Sequence, residues 1–305
     1  MDENRYDLMV AGMGPAGITA AVFAQRLGLK TVVFGDVPGG SVYMIEALTN
    51  FPGLVGDVSG TQFGTLAFAQ AQQEGAFFPM ARLQRLSFRE GLFRGIDVNG
   101  STYRSPAAIA ATGRTPKLLP GIGTDLRGVH FCSVCDGPLY RDKNAVLAVV
   151  GGTNAAAQHA LTIARVAREV IMICRLPSMP MDAAHRSQVD ARDNITTMES
   201  TTVTGLRGSG QVEAVLVTRA DGSAEEIPVD GVFLAVGWQP NTDYLDMAVD
   251  RNAEGYLITG GRLMTSFAGL FAAGDVRDTD LYQVLTACAD GARAASHVMA
   301  YLNQR

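Results

Sequence analysis

Short apolar runs along the chain alternate with longer stretches of helical spacing, and glycine-rich turns divide them. Tyr6 to Ala11 is an apolar run of strand length, Ile18 to Gly28 an alanine-rich helical stretch, and Thr31 to Phe34 a second strand. Residues 39 to 53 mix turn formers with apolar anchors and predict a loop with no regular element. Gly60 to Glu74 has helical spacing, and strands are predicted around Phe93–Val98 and Ala107–Ala111. The pattern then starts again. Asn144 to Val150 reads as a strand, Ala155 to Ala167 as a helix and Val170 to Cys174 as a strand. Two βαβ patterns in one chain predict an α/β fold with two Rossmann-like domains.

The first βαβ pattern carries Gly12-Met13-Gly14-Pro15-Ala16-Gly17 between strand and helix. In that context the spacing predicts a dinucleotide turn. Gly12 permits the tight turn, Gly14 lets backbone approach a pyrophosphate, and Gly17 lets the helix pack on the strand. Pro15 and Ala16 complete the turn before the helix, whose first N–H groups favour phosphate. Asp36, just past the second strand, stands where an acid meets ribose hydroxyls. Ala111-Thr112-Gly113-Arg114 ends a later strand and offers a second place where backbone can approach a nucleotide.

Between the two patterns lies Phe131-Cys132-Ser133-Val134-Cys135-Asp136-Gly137. A C-x-x-C brings two sulfurs within bridging range and lowers the pKa of one thiol. Asp136 stands next in line to carry a proton to or from the thiolate. The alternative is half of a zinc site, which needs a second ligand pair. Cys174 and Cys288 stand alone in apolar runs and no histidine pair has ligand spacing, which disfavours that alternative.

Composition narrows the class. A chain of 305 residues with 34 glycines suits a two-domain α/β enzyme. A net charge of −5 points away from a nucleic-acid surface. No apolar run approaches a membrane span, and the polar start Met1-Asp2-Glu3-Asn4-Arg5 has no signal-peptide core. Four cysteines do not make a secreted disulfide framework. The expected compartment is the reducing cytoplasm, where a C-x-x-C is more often catalytic than structural.

Taken together, the glycine turn, Asn50-Phe51-Pro52-Gly53, Ala111-Thr112-Gly113-Arg114, Cys132-Ser133-Val134-Cys135-Asp136-Gly137, Gly237-Trp238-Gln239-Pro240-Asn241, and Thr265-Ser266 through Ala272-Ala273-Gly274-Asp275 resemble the low-molecular-weight thioredoxin reductases nearly end to end. The resemblance implies a flavoprotein disulfide oxidoreductase and a homodimer. Its FAD domain would be discontinuous, 1–115 and 242–305, with a nicotinamide-binding domain inserted at 116–241. Crossings are expected at Pro116 to Gly121 and Gln239 to Thr242. FAD would be held by the first glycine turn, Asp36, Gly40, Ser41, Asn50, Ala111, Thr112, Gly113, Asp275 and Gln283. Ser41 departs from the family's usual Gln. Cys135 would be the thiol nearest the flavin, Cys132 the one that meets substrate, and Asp136 the acid–base residue.

The second glycine turn departs further. It reads Gly151-Gly152-Thr153-Asn154-Ala155-Ala156, with Thr153 in place of a third glycine and Asn154 and Ala155 in place of the usual Asp and Ser. A β-branched side chain at 153 is expected to crowd a pyrophosphate. Beyond the next strand the family's arginine clamp for the 2′-phosphate of NADPH is reduced to Arg175, followed by Leu176 and Pro177. Losing one charged phosphate contact costs about 1.5–3 kcal/mol, ten-fold to over a hundred-fold in affinity. Trp238 replaces a usual His and Tyr282 a usual Arg, and either ring can stack on a flat partner; Trp238 as a plain core residue is an equal reading.

These departures predict that NADPH is a poor ligand. Electrons would then come from ferredoxin or thiols, as in pyridine-nucleotide-independent members of the family. Alternatively a second flavin would fill the vacated cleft near Gly152, Thr153, Asn154, Arg175, Trp238 and Tyr282, as in diflavin-linked disulfide oxidoreductases. The chain ends soon after its last helix without an aromatic tail, which leans toward an open cleft. The expected exchange partner is a thioredoxin-like protein or a small thiol or disulfide. An ordinary NADPH–thioredoxin reductase is the alternative, and a non-enzymatic redox sensor on the same fold a more remote one.

Overall fold

The structure is a computed structural model. It describes residues 4–304 apart from 46, 57, 120, 121 and 123–125, so part of the expected first crossing lies outside the described residues. The chain forms two compact units, Met1–Thr115 with Gln239–Arg305, and Pro116–Trp238.

In chain order, the first unit has β1 (Leu8–Ala11), α1 (Pro15–Arg26), β2 (Thr31–Phe34), α2 (Gly60–Gln73), β3 (Leu83–Arg89), β4 (Leu92–Asp97), β5 (Thr102–Ser105), β6 (Ala107–Ala110) and the short β7 (Arg114–Pro116). The second has β8 (Val129–His130), α3 (Ser133–Asp136), β9 (Val146–Val150), α4 (Asn154–Ile163), β10 (Glu169–Ile173), α5 (Ala183–Asp190), β11 (Ile195–Met198), β12 (Thr202–Gly208), β13 (Val212–Thr218), β14 (Ala224–Pro228) and β15 (Gly231–Leu234). The chain returns through β16 (Trp238–Pro240) to β17 (Leu270–Ala272) and α6 (Val284–Leu302).

Each unit holds one parallel sheet, ordered β17-β6-β1-β2 in the first and β11-β10-β9-β15-β8 in the second. This is the α/β fold with two Rossmann-like sheets that the two βαβ patterns predict. Alternate strand residues face opposite layers. In the first unit Leu8, Val10, Val33 and Ile109 pack with the helical residues Ala20, Ala24, Ala294 and Val298. Met9, Val32, Phe34 and Ala108 pack instead on Leu86, Phe93 and Tyr103 of the antiparallel β3-β4-β5 meander. The second unit repeats the plan. Leu147, Val149, Val170 and Met172 pack on α4, and Ala148, Val150, Ile171 and Ile173 on β12-β13-β14. Both faces of each sheet are dry, which is why these strands read as continuous apolar runs.

Several boundaries move from their expected places. Helix α1 starts at Pro15, not Ile18, because proline at the first helical position loses no hydrogen bond and arrives with helical φ. It stops at Arg26, with Gly28 in left-handed conformation at φ +82°. Helix α4 ends at Ile163, not Ala167, and the Asn194 side chain donates to the carbonyls of Ala164 and Ala167 there. The expected irregular loop contains one turn of 3-10 helix, Gly40–Met44. Gly39 and Gly40, at φ +87° and +56°, bend the chain into it. The β12-β13-β14 meander has no counterpart in the sequence reading.

Candidate active site

In the first unit, the turn between β1 and α1 is the point on which the glycine-bearing segments meet. Gly12 has φ +118°, and a Cβ there would lie 2.1 Å from the Ala111 carbonyl oxygen. A Cβ on Gly17 would lie 1.9 Å from the Gly12 carbonyl oxygen. Gly40 lies against Gly14, its added Cβ 3.0 Å from Gly14 Cα, and that of Gly274 would be 2.9 Å from Ala16 Cβ. Thus Gly12, Gly14, Ala16, Gly17, Gly40, Ala111, Thr112 and Gly274 form one cluster. Gly14 itself is open, with nothing nearer its added Cβ than the Gly39 carbonyl at 3.9 Å. It N-caps α1 without a side-chain cap, and no acid stands in the first turn. Open backbone at an uncapped helix N-terminus fits a pyrophosphate.

Around this cluster the remaining residues divide. Asn50 Nδ2 donates to Gln283 Oε1 at 3.0 Å. Gln283 and Thr286 also form a capping box at the start of α6. Thr112 Oγ1 donates to the Asn241 carbonyl at 2.6 Å, and Asn241 Nδ2 returns a bond to the Thr112 carbonyl. Asp275 lies 3.3 Å from Arg114 Nε, and burial pushes its carboxyl above the usual carboxylate range against the opposing pull of that guanidinium. The Arg114 guanidinium sits 3.8 Å from the ring centre of Tyr282. Asp36 is half-exposed and paired with Arg82 at 3.0 Å, and Ser41 is exposed.

In the second unit, Cys132 and Cys135 form a disulfide with Cα atoms 5.3 Å apart. Cys132 caps the single-turn helix α3, its sulfur accepting the Cys135 N–H at 3.2 Å. Cys135 is buried, Cys132 is partly exposed, and Val134 between them is 53% exposed. Asp136 is buried and lies 3.3 Å from His130 Nδ1. Among the described residues no cluster of histidines, cysteines and acids has the makings of a metal site.

The second glycine turn is filled. A Cβ on Gly152 would lie 2.6 Å from Cys174 Sγ and 3.2 Å from Met179 Cβ. Thr153 N-caps α4 at φ −82° with no side-chain cap bond, so its side chain costs the fold nothing. Asn154, first residue of α4, is locked to Asp182 by two reciprocal bonds of 2.8 Å. The His185 N–H and ring hold the Asp182 carboxyl below the usual carboxylate range. Arg175 is exposed and is the one arginine between β10 and α5. Trp238 is half-buried with its ring against Phe131, centroids 6.0 Å apart. Tyr282, grouped with these residues in the sequence reading, belongs to the first unit. His130, beside Asp136, had no signal in spacing or motif.

Two nucleotide-type βαβ units, one carrying a C-x-x-C disulfide, define a disulfide oxidoreductase of the dinucleotide-binding class. Residues 6–291 match the family model described as pyridine nucleotide-disulphide oxidoreductase. A thioredoxin reductase of Treponema pallidum is 33% identical over 99% of this chain and 98% of its own length. NADPH-dependent thioredoxin reductase 3 of Arabidopsis thaliana is 34% identical over 97% of this chain and 58% of its own. The crystal structure of thioredoxin reductase from Streptococcus pyogenes superposes with a TM-score of 0.90 at 29% identity, covering all of both chains. The chain belongs to the thioredoxin reductase family and is a flavoprotein disulfide oxidoreductase. No helix among the described residues is long and apolar enough to cross a membrane.

Proposed function

We propose that this protein exchanges two electrons between a bound FAD and the Cys132–Cys135 pair, and that NADPH is not its electron source. The residues of the first glycine cluster, with Asn50, Asp275 and Gln283, are those that would hold FAD. The bound flavin supplies a two-electron carrier, and the chain supplies position and charge. The exposure of the two sulfurs supports a division of labour. Partly exposed Cys132 meets an external thiol or disulfide, and buried Cys135 is the sulfur released inward when the bridge opens. A thioredoxin-like protein, a small thiol or ferredoxin are the partners in keeping with this reading, and a second flavin is its further variant.

The observation that carries NADPH independence is the carboxylate at the start of α4. A dinucleotide turn works by presenting N–H groups and a positive dipole end to phosphate. Here the first helical residue, Asn154, is tied to Asp182, an anion. Arg175 is left as the single guanidinium of the following segment, and Arg186 is engaged by Glu199 at 2.9 Å. Ordinary NADPH–thioredoxin reductase activity is the second reading. It is favoured by the preserved Gly151–Gly152 turn and by the relative that bears NADPH dependence in its name.

The test is an anaerobic titration of the yellow holoprotein with excess NADPH. The flavin band is expected to stay, then to bleach with dithionite. Rapid bleaching by NADPH would overturn the proposal in favour of the second reading.

A further inference from the structure

His130 stands on β8 two residues before Cys132 and is 5% exposed. Its ring stacks on Phe233 of β15, centroids 4.9 Å apart. Nδ1 lies 3.3 Å from Asp136 Oδ2, and Nε2 lies 2.8 Å from the Tyr140 hydroxyl. The other carboxylate oxygen, Asp136 Oδ1, is buried with no hydrogen-bond partner. A buried carboxylate oxygen that meets no donor is costly. Packing alone gives no reason for one on the residue next in sequence to Cys135. It is the acceptor of this cluster that stays open to a proton, and it belongs to the residue that follows Cys135.

Tyr140 makes the cluster tolerant of either proton count. Its hydroxyl reaches both His130 Nε2 and, at 3.5 Å, the Asp230 carbonyl. With the hydroxyl donating to Nε2, the imidazole is neutral and its Nδ1–H faces Asp136. With the hydroxyl turned to the Asp230 carbonyl, it accepts from Nε2–H and the imidazole holds two protons. Rotation of one O–H bond separates the two arrangements, and no heavy atom moves.

We propose that His130 is a positioning residue that acts through Asp136, holding the proton that Asp136 passes to the Cys135 sulfur when the disulfide opens. The proposal rests on Cys132–Cys135 being the redox pair. With an external dithiol as reductant, one of its thiolates attacks Cys132 Sγ. The bond between Cys132 and Cys135 breaks, and the Cys135 sulfur leaves with the electron pair and takes a proton from the Asp136–His130 pair. The second thiol of the dithiol gives its proton back to that pair and attacks the mixed disulfide. Cys132 leaves as a thiolate, the dithiol becomes a disulfide, and two electrons have moved.

The test follows opening of the pair in the holoprotein by dithiothreitol, with quenching by an alkylating agent and mass analysis. His130→Gln keeps a donor and an acceptor but holds no extra proton. Opening at least ten-fold slower than wild type is expected for His130→Gln. The His130→Gln/Asp136→Asn double variant should be no more than two-fold slower than Asp136→Asn alone, since two residues acting as one unit are not additive. Nitrogen-15 spectra of the histidine rings supply a readout that a structural role would not move. The His130 signals, identified by their loss in His130→Gln, should differ between disulfide and dithiol forms, and not in Asp136→Asn. A His130→Gln rate within two-fold of wild type, or unchanged His130 signals, overturns the proposal. If His130→Gln does not fold, Tyr140→Phe serves instead, with at least a three-fold loss expected and an unchanged rate overturning it. Failure of dithiothreitol to free two thiols in wild type would instead refute the pair itself, and the proposal with it.

Discussion

If NADPH binds poorly, as proposed, replacing Thr153 by Gly and Leu176 by Arg together should strengthen its binding at almost no structural cost. Thr153 is exposed and its hydroxyl caps nothing, so a glycine at that N-cap costs a few tenths of a kcal/mol. Leu176 is 37% exposed, and a surface change of this kind lies within about 0.5 kcal/mol. The Tm should therefore move by no more than about 1–3 °C. On the binding side, one charge-assisted contact to phosphate is worth about 1.5–3 kcal/mol, or ten-fold to over a hundred-fold in Kd. Asp182 remains as an opposing charge, which holds the expected gain near the lower end. Calorimetric titration with NADPH measures the gain, and anaerobic bleaching of the flavin band shows whether it reaches the redox centre. A folded double variant with Kd unchanged within two-fold would refute the reasoning, because it would mean that neither the turn nor the missing arginine limits binding.

Other expectations follow from single contacts. Cys135→Ser should keep bound flavin and lose exchange with disulfides, read by absorbance and a turnover assay. Gly17→Ala puts a methyl 1.9 Å from a backbone oxygen, so about 1–3 kcal/mol of overpacking should lower the Tm by about 2–12 °C and weaken flavin retention. Asp290 accepts from Arg277 Nε at 2.6 Å and from the Gly274 N–H at 3.2 Å, and Asp290→Ala should cost about 3 kcal/mol in a denaturant titration by stranding that guanidinium. Glu199 accepts from the Met179 N–H and Arg186, which hold its carboxyl below the ordinary range near 4.5. A depressed carboxylate stabilises the fold above that ordinary value and loses the contribution as pH falls through the folded one. Glu199→Gln should thus be less stable than wild type at neutral pH, by under about 1 kcal/mol at so open a site, with the gap closing on acidification.

What the sequence made legible was local or periodic. Thr31–Phe34 is a strand residue for residue, and Gly60 opens α2 where the helical spacing begins. Gly12 and Gly17 of the first turn also act locally, one required by a neighbouring strand's end and the other by backbone a few residues away. The sequence was silent where partners are far apart. Nothing near Asn154 announces Asp182, 28 positions on, and nothing near His130 announces its fit between Asp136, Tyr140 and Phe233. The strand expected around Phe93–Val98 is β4, but its neighbours β3 and β5 and the whole β12-β13-β14 meander were missed for a related reason. The missed strands are short and partly exposed, and β12-β13-β14 gain their apolar face only when laid on a finished parallel sheet.

The order of strands has a consequence for how the chain leaves the ribosome. The first unit's sheet runs β17-β6-β1-β2, and its last strand is made after the whole second unit. Until Leu270–Ala272 emerges, Ala107–Ala110 has one unpaired edge, and until α6 emerges Ala16 and Ala20 lack the helix whose Gly291 packs against them. At about 5–20 residues per second this half-built state lasts for several seconds, while the second unit already has every residue it needs. The inserted unit is therefore the first part of the nascent protein able to become native. The older N-terminal half waits as a client for chaperones, and truncations near the C-terminus should strike the first unit while sparing the unit that carries the disulfide.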